Sequence, residues 1–389
     1  MTPMLSRDAL KKELAREIQK APDLEAALDT LRLFKADTVE QIKQKDLRGE
    51  LSLPDVFLHL SLLADVIAGE SLRLAQREME KSYGFPTFLD NDGNLLRSEF
   101  AVVAMGKWGG EEIHYGSDLD MIFLYSRNGQ TEGRKEVANR EFYAMLAQKL
   151  ISYLSVHTLQ GYAYRIDTQL RPSGNQGALV SSLDAYADYQ RNMAQPWEKQ
   201  ALLKARTTVG DDPFAKGLRE QFLKFIFSTE FPPNLNEEIH RLRMRMEREN
   251  GREGPRRLHY KLGEGGLTDI EFAVQYLQLK MGKIFESIVV QNTLKAIEKM
   301  EDRELLHPDE RKVLKEGYLF YRLLETRMEV HFDLREGYLD PESHLLDNLS
   351  EVMGEPSPQA LLDKFKRIRH DVRRVYLRIL QVEGAHESS

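Results

Sequence analysis

Apolar residues recur at helical spacing from the start of the chain. Leu10, Leu14 and Ile18 keep one register and Leu24, Leu28 and Leu31 another, while Val56, Leu60, Leu63 and Ile67 form a longer stripe after Pro54. Such stripes predict packing helices, and residues 1–84 read as a helical segment without visible chemistry. The pattern breaks at residues 84–98, GFPTFLDNDGNLLRS, where Pro, Gly and an Asn-Asp-Gly turn signal suggest a domain boundary near 85. Two short apolar runs follow, Phe100 to Met105 and Met121 to Tyr125, each bounded by glycine or acidic residues. They predict two buried strands joined by a connection. A polar loop, SRNGQTEGRK, then leads into a helix with Phe142, Leu146, Leu150 and Leu154 on its inner face.

From Gly161 to Pro172 the period changes to two. Tyr164, Ile166, Thr168 and Leu170 alternate with Arg165, Asp167, Gln169 and Arg171, which predicts a strand whose polar face lines a cleft. PSGNQG reads as a turn, helical text resumes near Ser181, and Pro196 opens a further helix in which Trp197 is expected to enter the core. A second boundary is expected at Gly210 to Pro213, or within FPPN at 231–234. The next helix carries Arg241, Arg243, Arg245 and Arg248, with Arg252, Arg256 and Arg257 beyond it. It reads as a solvated face paired with Glu247 and Glu249, with an anion-facing wall as the alternative. In KLGEGGLTDIEFAVQYL, Thr268 is expected to cap a helix whose first turn holds Asp269 and Glu271. Amphipathic stripes such as Leu314, Tyr318 and Tyr321–Arg322, then Leu362, Phe365 and Ile368, predict a helical bundle to the end, with the tail GAHESS frayed.

Composition narrows the classes. The 389 residues suffice for two or three domains, and 55 basic against 62 acidic side chains leave a net charge of −7. That balance argues against a nucleic acid backbone as the main partner. No cysteine is present, which excludes disulfides, thiolate-held zinc and a thiol nucleophile. No apolar run approaches membrane-spanning length and no signal core opens the sequence, so a cytoplasmic protein with no membrane association is expected.

The chemistry concentrates between Phe100 and Tyr125. Asp118 and Asp120 lie two apart at the start of the second strand and therefore project side by side. Adjacent carboxylates repel, and a divalent cation with oxygen ligands relieves them. Gly109-Gly110, separated from Asp118 by the seven residues Glu111 to Ser117, suits a backbone that approaches a phosphate with its N–H groups turned outward. A Gly-Gly turn or an Asp-x-Asp alone is most often a plain turn or strand end. Strand, Gly-Gly, spacer, paired acids and second strand together point to phosphoryl or nucleotidyl transfer.

This arrangement resembles the signature of the polymerase-beta-type nucleotidyltransferases. The fuller string GKWGGEEIHYGSDLDMIFLY is similar to that of the glutamine synthetase adenylyltransferases, and RIDTQLRPSGNQGALVSSLDAYADYQRN, WEKQALLKART and EGGLTDIEFAVQYL extend the likeness. The resemblance implies an α+β fold: a polymerase-beta-like core, a small mixed sheet with helices, over 85–210, flanked by N-terminal helices (1–84) and a C-terminal helical bundle (211–389). It implies transfer of AMP from ATP to a tyrosine hydroxyl of glutamine synthetase, with PII signal protein as regulator. Asp118, Asp120 and Asp167 would be the catalytic, metal-holding triad for Mg²⁺, with Mn²⁺ as a substitute. Gly109, Gly110, Ser117, Lys107, Arg171, Lys204 and Arg206 would contact the nucleotide, and Glu264, Asp269 and Glu271 would lie at the periphery. Full-length members carry two such units, one attaching AMP and one removing it by phosphorolysis to give ADP. One unit is visible here, an excised half or a single-unit relative, and LRPSG, ADYQRN and EGGLTDIEF resemble the attaching half. The alternatives are the removing half and a nucleotide-binding regulatory module without transfer activity.

Overall fold

The computed structural model describes residues 6–209 and 213–382. Most of the boundary expected at Gly210–Pro213, and the tail GAHESS, lie outside the described residues. The chain forms two compact units, Met1–Ser228 and Thr229–Ser389. It is predominantly helical with small mixed sheets, an α+β arrangement.

The first unit opens with helices α1 (Arg7–Gln19), α2 (Leu24–Leu47) and α3 (Leu53–Tyr83). Their N-caps are Ser6, Asp23 and Ser52, each accepting a backbone amide of the first turn, and Ser52 forms a reciprocal capping box with Asp55. The stretch 84–98 forms a hairpin, β1 (Pro86–Leu89) and β2 (Leu95–Arg97), with the Asn-Asp-Gly signal as its turn. The rest of the unit comprises β3 (Phe100–Ala104), a single turn α4 (Gly106–Gly109), β4 (Leu119–Tyr125), β5 (Gln130–Thr131) and α5 (Asn139–Ser155). After these come β6 (Ile166–Asp167), β7 (Val180–Ser182), α6 (Leu183–Asn192), α7 (Pro196–Leu202), β8 (Arg206–Val209) and α8 (Pro213–Phe227).

β5 joins the hairpin in a three-stranded sheet ordered β2-β1-β5. The larger sheet runs β6-β4-β3-β8, and β7 also pairs with β4. β3 is antiparallel to both β4 and β8, whereas β6 and β7 run parallel to β4, at its start and its end. β3 is buried throughout, as expected for a central strand with an unbroken apolar run. One apolar core extends from Leu10 through α3 to Phe142, Leu150 and Val180, so helices and sheet cover each other. α3 is tied to α5 by Glu78, which accepts from Lys149 Nζ at 2.6 Å and Tyr153 Oη at 2.5 Å. The period-two stretch from Gly161 to Pro172 yields only two strand residues, because the chain turns back after Asp167. Trp197, expected inside, is 42% exposed: it sits in the first turn of a seven-residue helix whose buried positions are Lys199, Gln200 and Leu202.

The second unit is helical: α9 (Leu235–Met246), a π-helical turn Glu247–Gly251, α10 (Leu267–Met281), α11 (Thr293–Glu301), α12 (Pro308–Phe332), α13 (Leu346–Val352) and α14 (Pro358–Leu380). Gly317 lets α12 approach α14, since a Cβ there would lie 2.8 Å from Val372 Cγ2. The arginine-rich helix keeps Arg241, Arg245 and Arg248 exposed, as expected of a solvated face, but Arg243 departs from it. Arg243 is fully buried; its Nε lies 2.5 Å from Asp269 Oδ1, and its Nη2 donates to the Gly263 carbonyl at 2.7 Å. Asp269 in turn accepts from the Gly265 amide at 2.9 Å and from Arg373 Nη1 at 3.1 Å. Gly266, not Thr268, occupies the N-cap of α10, and Asp269 does the capping from within the first turn. Removing Asp269 would leave Arg243 charged and buried without its main partner. Asp269→Ala is therefore expected to lower unfolding free energy by about 3–5 kcal/mol in urea titration, and a change below about 1 kcal/mol would show that this network is dispensable.

Candidate active site

Pairing of β4 with β6 brings the sequence-expected carboxylates together. The parallel register sets Leu119 against Ile166 and Asp120 against Asp167, and the Leu119 amide donates to the Arg165 carbonyl at 2.9 Å. Asp120 thus stands beside Asp167, and Asp118, one residue before β4, stands beside Arg165, one residue before β6. Asp118 Oδ1 lies 2.6 Å from Arg165 Nε, an exposed ion pair. Asp120, set deeper, faces Asp167 in register. Burial, and then the charges of Asp167 and Asp118, push the Asp120 carboxyl up to about 7, although Lys107 pulls it back. Asp167 also accepts the Gln169 amide at 2.7 Å, which closes the turn that ends β6.

The glycine that shapes this site is Gly106. Its φ is +52°, and a Cβ there would fall 2.4 Å from Asp120 Oδ2. Gly109 and Gly110, expected to offer free amides to a phosphate, instead donate within the turn, Gly109 to the Met105 carbonyl at 2.8 Å and Gly110 to Gly106 at 3.1 Å. Gly109 is required for another reason: a Cβ would strike the Lys204 carbonyl at 1.9 Å, so it permits close packing of the turn on the chain entering β8. Ser117 turns its Oγ to accept the His114 amide at 2.9 Å, holding the loop that leads to Asp118.

The basic candidates divide in two. Lys107, half-buried, places its charge beside Asp120. Lys204, Arg206 and Arg171 serve the scaffold. Lys204 is buried with Glu112 at 2.6 Å. Arg206 grips Asp65 of α3 through Nη1 at 2.7 Å and Nη2 at 3.0 Å, and also donates to the carbonyls of Gly109 and Trp108. Trp108 Nε1 donates to the same Asp65 at 2.9 Å. Arg171 staples its own turn, donating to Thr168 O and Oγ1 at 2.8 Å. Both cations are thus held in buried ion pairs. Glu264, Asp269 and Glu271 lie in the second unit, Asp269 within its buried ion network. Glu264 has an exposed side chain on a turn held by Arg369 and Glu253, and Glu271 is half-buried on α10.

Sequence reasoning missed Asp65, Glu112 and Gly106, and it did not pair Arg165 with Asp118. A helical Asp among Leu and Ala residues carries no local signal of a partner on a distant strand. The Arg-x-Asp against Asp-x-Asp match becomes readable only once the register is known.

Asp120 and Asp167 offer two hard oxygen donors whose mutual repulsion a divalent cation would relieve, which fits Mg²⁺ or Mn²⁺ chemistry. Among the described residues no group of three or more His, Asp or Glu is gathered in metal-ligating geometry. Asp118, the third carboxylate, is engaged by Arg165.

Two measurements check this description. Arg206→Ala strips a buried Asp65 of its cation and should cost about 3–5 kcal/mol in denaturant unfolding; an unaltered midpoint would return Arg206 to the nucleotide candidates. The second concerns pH. With its folded carboxyl held near 7, above the ordinary 3.8, Asp120 contributes stability below pH 4 that is lost as pH rises through 7. Asp120→Asn should match the parent near pH 4 and gain on it progressively up to pH 8 in thermal melts, and a constant offset would contradict the crowding.

Residues 2–221 match the family model described as Glutamate-ammonia ligase adenylyltransferase, and residues 234–380 match that of GlnD PII-uridylyltransferase. Similar curated proteins include a bifunctional glutamine synthetase adenylyltransferase/adenylyl-removing enzyme of Thioalkalivibrio sulfidiphilus, 38% identical over 70% of this chain and 28% of that protein. Proteins of the same name from Vibrio parahaemolyticus and Hahella chejuensis are 34% and 35% identical over 76% and 82% of this chain, and 32% and 34% of their own lengths. The chain thus spans about a third of the length of the curated relatives it matches. With more than half of its residues matched by the first of those models, the chain belongs to the glutamate-ammonia ligase adenylyltransferase family.

Proposed function

We propose that the first unit is a polymerase-beta-like nucleotidyltransferase core that moves AMP from ATP to a tyrosine hydroxyl of glutamine synthetase and releases pyrophosphate. The observation that carries this reading is the register of Asp120 against Asp167, with Asp118 one step outward, in a member of this family. Asp120 and Asp167, joined by Asp118, would hold Mg²⁺ or Mn²⁺. The cation would neutralise charge on the triphosphate and lower the pKa of the attacking oxygen. Gly106 keeps the turn close over Asp120 and so fixes the carboxylate's position. Lys107 adds a positive charge beside that carboxylate, where a polyphosphate would need one. In the reaction the tyrosine oxygen, its proton released to solvent, forms a bond to the α-phosphorus as the bond from that phosphorus to the bridging oxygen breaks, and pyrophosphate carries away the electron pair.

The relatives' name supports a second reading, removal of AMP from the modified tyrosine with inorganic phosphate as acceptor and ADP as product. The stretches LRPSG, ADYQRN and EGGLTDIEF favour attachment. All three carboxylates are present, which speaks for catalysis over a purely nucleotide-binding module. PII signal protein is the regulator that fits this reading, and a cytoplasmic setting fits the substrate. Among the described residues no helix is long and apolar enough to cross a membrane.

Incubation with labelled ATP, Mg²⁺ and unmodified glutamine synthetase should incorporate AMP and release pyrophosphate. Asp167→Asn should reduce that incorporation by at least ~100-fold while the far-ultraviolet circular dichroism spectrum stays that of the parent. Phosphate-dependent ADP release from adenylylated glutamine synthetase, without incorporation from ATP, would establish the removing direction instead.

A further inference from the structure

Where β4 and β6 pair, and at the residue just before each strand, four charged side chains lie in two rows. The inner row is Asp120 against Asp167, two like charges in register. The outer row is Asp118 against Arg165, opposite charges with Nε 2.6 Å from Oδ1. The two rows differ in depth as well as in sign. Asp120 is half-buried, whereas the side chains of Asp118 and Arg165 are 49% and 52% exposed. Exposed pairs of this kind are weak, because water screens them and two side chains must be held in one geometry. A doubly charged cation resting on the inner row attracts Asp118 and repels the guanidinium beside it.

We propose that Arg165 is a positioning residue that competes with the divalent cation for Asp118, so that binding of the metal requires an exchange of Asp118 from the guanidinium to the ion. The inference rests on the reading of Asp120 and Asp167 as metal ligands. It explains why three carboxylates within one turn of two paired strands are not gathered at a single point: the third has a partner of its own. It also assigns a role to Arg165, which stands two residues before Asp167 as Asp118 stands two before Asp120. A guanidinium displaced from a carboxylate keeps its planar fork of donors, and that fork suits phosphate oxygens.

The test is a double-mutant cycle read by Mn²⁺ affinity, from calorimetry or from the electron paramagnetic resonance signal of free Mn²⁺, with no nucleotide or protein substrate present. Arg165→Gln should tighten Mn²⁺ binding roughly five-fold, about 1 kcal/mol. Asp118→Asn should weaken it, and adding Arg165→Gln to Asp118→Asn should then change little, because the competition has lost its object. An unchanged or weaker affinity in Arg165→Gln overturns the proposal. So does a gain that persists undiminished in the Asp118→Asn background, which would mark a general field effect of the arginine charge. Absence of Mn²⁺ binding to the parent chain, or binding unaffected by Asp120→Asn, would overturn the metal reading itself and this inference with it. Both substituted positions are solvent-exposed, so the variants should fold as the parent does, which far-ultraviolet circular dichroism checks.

Discussion

The first unit depends on a buried carboxylate. Asp65, in the middle of α3 and 2% exposed, accepts the Trp108 indole N–H and both arms of the Arg206 guanidinium. Three elements far apart in sequence converge there: the long N-terminal helix, the turn between β3 and β4, and the edge strand β8. A buried charge without such partners would be heavily penalised, so the cluster forms complete or not at all. Its consequence for chemistry is indirect. By fixing Trp108 it fixes the turn that begins at Gly106, and Gly106 is the residue whose missing side chain lets that turn close over Asp120.

Around that fixed turn, the site is arranged by unequal treatment of three carboxylates. Strand register forces Asp120 and Asp167 together in a partly dry place, and the proton affinity of Asp120 rises accordingly. Asp118, one step toward solvent, is relieved by an arginine instead. Like charges thus face each other in the inner row, and opposite charges in the outer one. The basic residues nearby are separated by the same criterion. Lys204 and Arg206 are held by acidic partners inside the protein, whereas the charge of Lys107 reaches the inner carboxylate.

The helical unit uses a related device for a different end. Arg243, Asp269 and Arg373 form a buried ion network that ties α9, α10 and α14 together and pins the glycine-rich turn before α10. Gly265 contributes by close approach, since a Cβ at its positive φ would collide with the Arg369 carbonyl at 1.9 Å. The acidic pattern of EGGLTDIEF therefore serves the architecture at Asp269, while Glu264 on the same turn keeps an exposed carboxylate.

Sequence periodicity alone determined the helices and the two central strands. Leu10, Leu14 and Ile18, then Phe142, Leu146, Leu150 and Leu154, are all buried, because helical spacing places them on one face whatever that face meets. The Asp-x-Asp motif and the alternation around Asp167 were legible for the same local reason, although the strand there proved to be two residues long. Trp197 and Arg243 were misjudged, one expected inside and found 42% exposed, the other expected in solvent and found fully buried. Residue type sets the cost of burial, but only the partners brought in by the fold decide whether that cost is met. Asp269 and the Gly263 carbonyl meet it for Arg243, whereas the short helix carrying Trp197 buries other positions. The pairing of Arg165 with Asp118 and of Arg206 with Asp65 belonged to tertiary structure as well, since each partner is specified by strand register or helix packing across 47 and 141 residues of chain.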